Sequence, residues 1–115
     1  ERQMVEHVRA MTPAFQGGLQ AFAGHPLIGD VRGVGLIGAI ELAEDRAARK
    51  AFDPKRGVGA YLVRRAQEHG LILRVMGGDM IAFSPPLIIT GAQIAEMMSR
   101  FARALDDTAS WLSGV

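Results

Sequence analysis

Residues 71–94 read LILRVMGGDMIAFSPPLIITGAQI, and the order of elements in this stretch decides the fold. Leu71 to Met76 and Met80 to Phe83 are short strand candidates. Between them Gly77-Gly78-Asp79 supplies a turn that suits a hairpin. Pro85-Pro86 cannot continue a central strand, because proline has no N–H to give to a ladder. Thr90 followed by Gln93 is a capping box, in which side chain and backbone satisfy each other's free groups at a helix start. Behind that cap, Ile94, Met97, Met98, Phe101, Leu105, Thr108 and Leu112 form one apolar stripe. A closing helix of about 23 residues, a rod of roughly 34 Å, is the expected result.

Upstream, Val58, Tyr61, Leu62 and Ala66 mark a helix that Gly70 stops. Ala43 to Lys50 is charged and alanine-rich, a loop or a loose helical turn, and Asp53-Pro54 breaks the chain. Val34 to Leu42 alternates, with Leu36, Gly38, Ile40 and Leu42 on one side of a strand. His25-Pro26 punctuates, and Leu27 to Val31 is a further short strand candidate. The first segment carries Met4, Val8, Met11, Phe15, Leu19 and Phe22 on one helical face. Pro13 is expected to kink that helix or restart it at Thr12, with Gly17-Gly18 weakening it further. Helix, strands, helix, hairpin, helix is the order of an α+β domain. A small, mostly antiparallel sheet covered by helices on one face is the expected architecture.

The 115 residues are enough for a single domain, 1–115, with a modest core. Apolar residues make up 49% and charged residues 22%, the profile of a globular chain rather than a disordered one. A formal net charge of +1 gives no argument for nucleic acid or an anionic membrane. With no cysteine, disulfides, thiolate nucleophiles and cysteine-zinc sites are excluded, and a reducing compartment such as the cytoplasm fits. The apolar runs GVGLIGAI and PPLII are far too short for a membrane span, and no secretory signal is visible. A start at Glu1, running straight into helical pattern, reads as a fragment or as a domain defined by its boundaries.

GVGLIG, residues 33–38, matches the G-x-G-x-x-G pattern in which glycine amides hold a phosphate at a helix start. A dinucleotide-binding module built on Gly33, Gly35 and Gly38, with Asp53 as ribose acid, is therefore one reading. The alternation from Leu36 to Leu42 favours the other, in which these glycines let helices or a neighbouring strand approach the sheet. That reading predicts strand pairing over Gly35 to Leu42.

His7, His25 and His69 fit no metal-ligand spacing, and His69 is better placed to complement a helix dipole. Ser84, Ser99, Ser110 and Ser113 lie in no nucleophile elbow. Lys50, in EDRAARK, and Lys55, after a proline, read as solvated groups. A Schiff-base lysine should instead be desolvated to lower its pKa. Seven of the 13 basic residues fall between Arg46 and Arg65, but acids surround them, so a solvated face is favoured over a nucleic-acid site.

Arg74 interrupts LILRVM on the same strand face as Ile72 and Met76. It is either an outward arginine whose stem covers apolar surface or a guanidinium presented to a substrate carboxylate.

Two stretches together favour the second. GDVRGVGLIGAIEL resembles the segment that opens the small-domain sheet of class III, pyridoxal-phosphate-dependent aminotransferases. LILRVMGGDMIAFSPPLIITGAQI resembles the hairpin and helix start near the C-terminus of that family, and the intervening helix ends in EHGLIL as the family's does. The resemblance spans most of Val5 to Leu112 and implies the small domain of a homodimeric fold-type-I enzyme. Pyridoxal phosphate would act there as an electron sink. The Schiff-base lysine and most cofactor contacts would belong to a large domain outside this segment, which leaves no catalytic, cofactor or metal residue here.

By the same resemblance, Arg74 falls where the ω-amino-acid:pyruvate branch places a mobile arginine for the substrate carboxylate. The branch resembling GABA and ornithine aminotransferases would place its arginine at about Ala82, and alanine cannot serve. The turn Val75-Met76-Gly77-Gly78-Asp79 is one residue longer than the family pattern, and matching Arg74 puts the extra residue after it. The function implied is transamination from an amine or ω-amino acid to a keto acid such as pyruvate. A non-catalytic α+β dimerisation domain and the dinucleotide module are its rivals.

Overall fold

The structure is a computed structural model that describes every residue except 1, 46, 48, 49, 78, 87 and 115, and of Arg2 and Pro54 the backbone alone. Helix α1 spans Arg2–Gln20, strand β1 Ile28–Val34, β2 Ile37–Leu42, helix α2 Val58–Glu68, β3 Arg74–Met76, β4 Met80–Phe83 and α3 Gly91–Leu112. The strands form one sheet in the order β1-β2-β4-β3, and every neighbouring pair is antiparallel. The chain leaves β2, crosses through α2 to the far edge and returns by a hairpin, so β4 is inserted between β2 and β3.

Register assigns the two faces of the sheet. Val75, Ile81, Ile40 and Val31 lie in one cross-strand row, with Ile81 and Ile40 fully buried. The next row, Arg74, Ala82, Ala39 and Arg32, points the other way, and both arginines are exposed. Helices α1 and α2 cover the Ile40–Ile81 side, and α3 packs against both helices. Phe101 of α3 meets the Phe83 ring edge-on at 5.0 Å and the Phe22 ring at 4.9 Å, which ties sheet to helices at the centre of the core. The expected α+β architecture, with helices on one face, is the observed one.

The GVGLIG glycines sit in a hairpin, not before a helix. Gly33 of β1 pairs with Gly38 of β2, and Gly35 turns the chain at φ 59°. A Cβ on Gly38 would run into Leu19 of α1, and one on Gly33 would lie 2.5 Å from the Gln16 amide oxygen. The Gln16 amide reaches over the turn and donates to the Gly35 carbonyl at 2.9 Å. These glycines are the footprint of α1 on the sheet, so the dinucleotide reading of Gly33, Gly35 and Gly38 is withdrawn. Strand pairing begins at Ile37 rather than Gly35, because Gly35 and Leu36 are spent on the turn.

Other boundaries moved for local reasons. Pro13 neither restarts nor interrupts α1. It lies on the exposed side of the helix, as does Arg9, whose carbonyl a proline N cannot serve. β1 runs on to Val34, three residues past the expected end, because the Gly35 turn prolongs its pairing with β2. Leu71 to Leu73 are not strand. Leu73 is buried beneath the hairpin, and pairing starts at Arg74. The capping box is formed as expected, Thr90 accepting from the Gln93 N–H and the Gln93 side chain accepting from the Thr90 N–H. In 43–50 no helix is described, and Asp45 bridges to Lys50 while residues 46, 48 and 49 lie outside the described set.

Candidate substrate-facing cleft

Arg74 opens β3 at the rim of a cleft of about 550 Å³ between the β3–β4 hairpin and the start of α3. The apolar floor is Leu73, Phe83, Ile89 and Met97, each at most 9% exposed. Two guanidiniums reach this cleft, and they are in different states. Arg100 is committed, donating to the Gly70 carbonyl at 2.8 Å and pairing with Glu96 one turn before it. Arg74 is exposed and, among the described residues, makes no hydrogen bond or ion pair. Exposed Met76 shares its face, as the strand period requires, and exposed Ile72 lies two residues before it, ahead of the strand.

Directly opposite Arg74 stands Ala82, and beyond it Ala39. The row ends in Arg32, whose guanidinium lies 3.4 Å from Asp30 and 3.5 Å from Glu41. Arg32 is thus neutralised where Arg74 is not. A first strand that ends at Val31 leaves Arg32 outside the sheet, whereas β1 runs to Val34. Extended by three residues, the period of two puts Asp30 and Arg32 on one face.

The remaining titratable candidates have structural partners. His7 shares a 2.7 Å hydrogen bond with the Ile89 carbonyl, which fastens α1 to the loop before α3. The His25 ring accepts the Leu27 N–H at 3.1 Å, and burial lowers its pKa against the opposing pull of Asp106. His69 lies 2.7 Å from Asp107, a carboxylate from α3 that the sequence reading did not place. Arg65 grips the same carboxylate through two nitrogens at 3.1 and 3.0 Å. The His69 bond, followed by Arg65, holds the Asp107 carboxyl below the usual carboxylate range. No group of three or more His, Asp or Glu among the described residues is placed to hold a metal. No described helix is long and apolar enough to cross a membrane.

Residues 1–105 match the family model described as Aminotransferase class-III. The tomato (Solanum lycopersicum) protein named gamma aminobutyrate transaminase 1, mitochondrial, is 43% identical over 94% of this chain and 21% of its own. Putrescine–pyruvate aminotransferase of Pseudomonas aeruginosa is 40% identical over 96% of this chain and 24% of its own. The solved omega transaminase of Pseudomonas jessenii in complex with PMP superposes with a TM-score of 0.90 at 46% identity, covering 98% of this chain and 25% of that one. The chain therefore spans about a fifth to a quarter of the length of these relatives. Transaminases named for GABA and for pyruvate both match. Class-III aminotransferases are pyridoxal-phosphate enzymes. The chain belongs to the class-III aminotransferase family.

Proposed function

We propose that this chain is the C-terminal small domain of a homodimeric transaminase that moves an amino group from an amine or ω-amino acid to a keto acid such as pyruvate. Arg74 is the substrate-binding residue of this segment. The observation that carries the reading is its guanidinium, without a partner among the described residues, at the mouth of an apolar cleft that an already engaged Arg100 also lines. A planar fork in that setting suits a carboxylate, and the apolar floor suits the rest of an amine.

Pyridoxal phosphate, when bound, supplies the electron sink for the carbanion chemistry. The residues of this chain do not fit its point of attachment. Lys50 is exposed and lies 3.3 Å from Glu44, and Lys55 is exposed on the 3₁₀ turn Pro54–Arg56. Neither lies in the desolvated pocket that a Schiff-base lysine needs. On this reading the attachment lysine and most of the ring and phosphate contacts belong to a large domain outside this segment. The absence of cysteine supports a reducing, cytoplasmic setting, although the tomato relative is named as mitochondrial.

The test uses the full-length enzyme and follows each half-reaction separately by single-turnover absorbance of the cofactor. Arg74→Ala should weaken pyruvate and ω-amino acids roughly ten- to a hundred-fold, the loss of one charge-assisted hydrogen bond. Arylalkyl amines should suffer much less. Equal losses for both classes would make Arg74 a scaffold residue.

A further inference from the structure

β3 is only three residues long and lies at the edge of the sheet, hydrogen-bonded on one side alone. So short a ladder does little to fix the direction in which Arg74 leaves the open face. Something else must hold the hairpin, and the geometry points to Asp79. We propose that Asp79 is a positioning residue for Arg74, fixing the β3–β4 hairpin by capping the N-terminus of α2 from outside the helix. The proposal rests on the reading of Arg74 as the carboxylate-binding residue.

Three observations carry it. Helix α2 begins after Gly57, which offers no side-chain acceptor to the free amides of the first turn. The Asp79 carboxylate fills that role from 20 positions away, its Oδ1 accepting the Gly59 N–H at 3.1 Å. An anion there also meets the positive end of the helix dipole. The Asp79 carbonyl in turn accepts the Leu42 N–H at 3.2 Å, so one residue joins turn, helix and β2.

Asp79 is also the only non-glycine residue with positive φ, at 58°, among those described. Asp tolerates this left-handed conformation better than most side chains, yet glycine would adopt it freely. The carboxylate is what glycine would lack.

Lastly, Gly59 lets the hairpin close on the helix. A Cβ on it would lie 2.6 Å from Val75 Cγ2 and 2.9 Å from Asp79 Oδ1. Val75 follows Arg74 and faces the opposite side of β3, so seating Val75 on Gly59 sets the roll of the strand that presents Arg74.

In the full-length enzyme, Asp79→Gly keeps the turn conformation and removes the carboxylate. Asp79→Asn keeps an acceptor oxygen and tolerates the same φ. Gly59→Ala pushes on the same contact from the helix side and improves helix propensity, so it serves if Asp79→Gly does not fold. Each is read by single-turnover KM and kcat for a carboxylated amine and an arylalkyl amine, with Arg74→Ala beside them. The expected result is a KM for the carboxylated amine raised roughly five-fold in Asp79→Gly and Gly59→Ala. The change for the arylalkyl amine should be much smaller, and Asp79→Asn should recover most of the loss. If Arg74→Ala shifts the ratio between substrates but Asp79→Gly and Gly59→Ala lower both equally, the positioning role is overturned and the Arg74 reading stands. If Arg74→Ala leaves the ratio unmoved, the Arg74 reading falls and the positioning role with it.

Discussion

Arg74 and Ala82 face each other directly across β3 and β4, on the open side of the sheet. Their Cα atoms are separated by about the 4.5–5.5 Å of an antiparallel pair, which is less than an arginine side chain can reach. A guanidinium rooted at either position therefore serves the same region of the cleft. Moving the charge, as Arg74→Ala combined with Ala82→Arg, should recover part of the carboxylate selectivity lost in Arg74→Ala alone. Half-reaction KM values for pyruvate would measure it, and a double variant no better than the single one would show that the origin of the side chain matters.

Arg74→Lys should fall between wild type and Arg74→Ala. An ammonium keeps the charge but cannot form two parallel hydrogen bonds to a carboxylate. The pyruvate half-reaction is the measurement, and full recovery would reduce the role of Arg74 to net charge.

Reduction of the cofactor-loaded full-length protein with borohydride, followed by peptide mass spectrometry, should label neither Lys50 nor Lys55. Both are solvated, and Lys50 is held by Glu44. A stoichiometric adduct at either would refute the assignment of the attachment lysine to another domain.

Gly38→Ala should destabilise the domain by about 1–3 kcal/mol, the usual cost of forcing an extra group into a packed core. The new methyl collides with Leu19 of α1. Gly35→Ala meets no neighbour but places alanine at φ 59°, so its cost should be smaller, about 1 kcal/mol. Denaturant unfolding would rank the two, and the reverse order would contradict α1 as the reason for these glycines.

Asp107 joins α2 to α3 through His69 and Arg65, and its folded-state pKa is depressed chiefly by the His69 bond. A depressed carboxyl stabilises the fold above the unfolded value of about 3.9 and loses that contribution as pH falls through the lower folded value. Asp107→Asn should therefore speed amide exchange around residues 65–70 at neutral pH by a modest factor, as the pair is partly exposed. The difference from wild type should fade in acid. A difference that persisted unchanged there would assign the effect to packing.

Local signals in the sequence located most of the elements, while contacts between distant segments stayed hidden. Thr90 and Gln93 cap α3 because the box is complete within four residues. The stripe from Ile94 to Leu105 needs only helical spacing, and the alternation through Ile40 and Leu42 only the strand period. Arg74 was readable as an outward strand residue for the same reason. That Arg100 would be occupied and Arg74 free was not, since it depends on Gly70 and Glu96 coming together at one cleft. The carboxylates that matter to His69 and to Gly59 lie 38 and 20 positions away, and no periodicity encodes such pairings. The GVGLIG run misled because a glycine needed for close packing and one needed for phosphate are the same letter.

The inserted place of β4 has a further consequence. Since β3 is the last strand in the row, a change in the β3–β4 turn bears on the edge hairpin and on the bonds of Asp79 to β2 and α2, while the β1–β2 pairing lies beyond its reach. On the proposed role of Arg74, a change confined to this edge hairpin would re-aim the guanidinium while the buried half of the domain stays as it is.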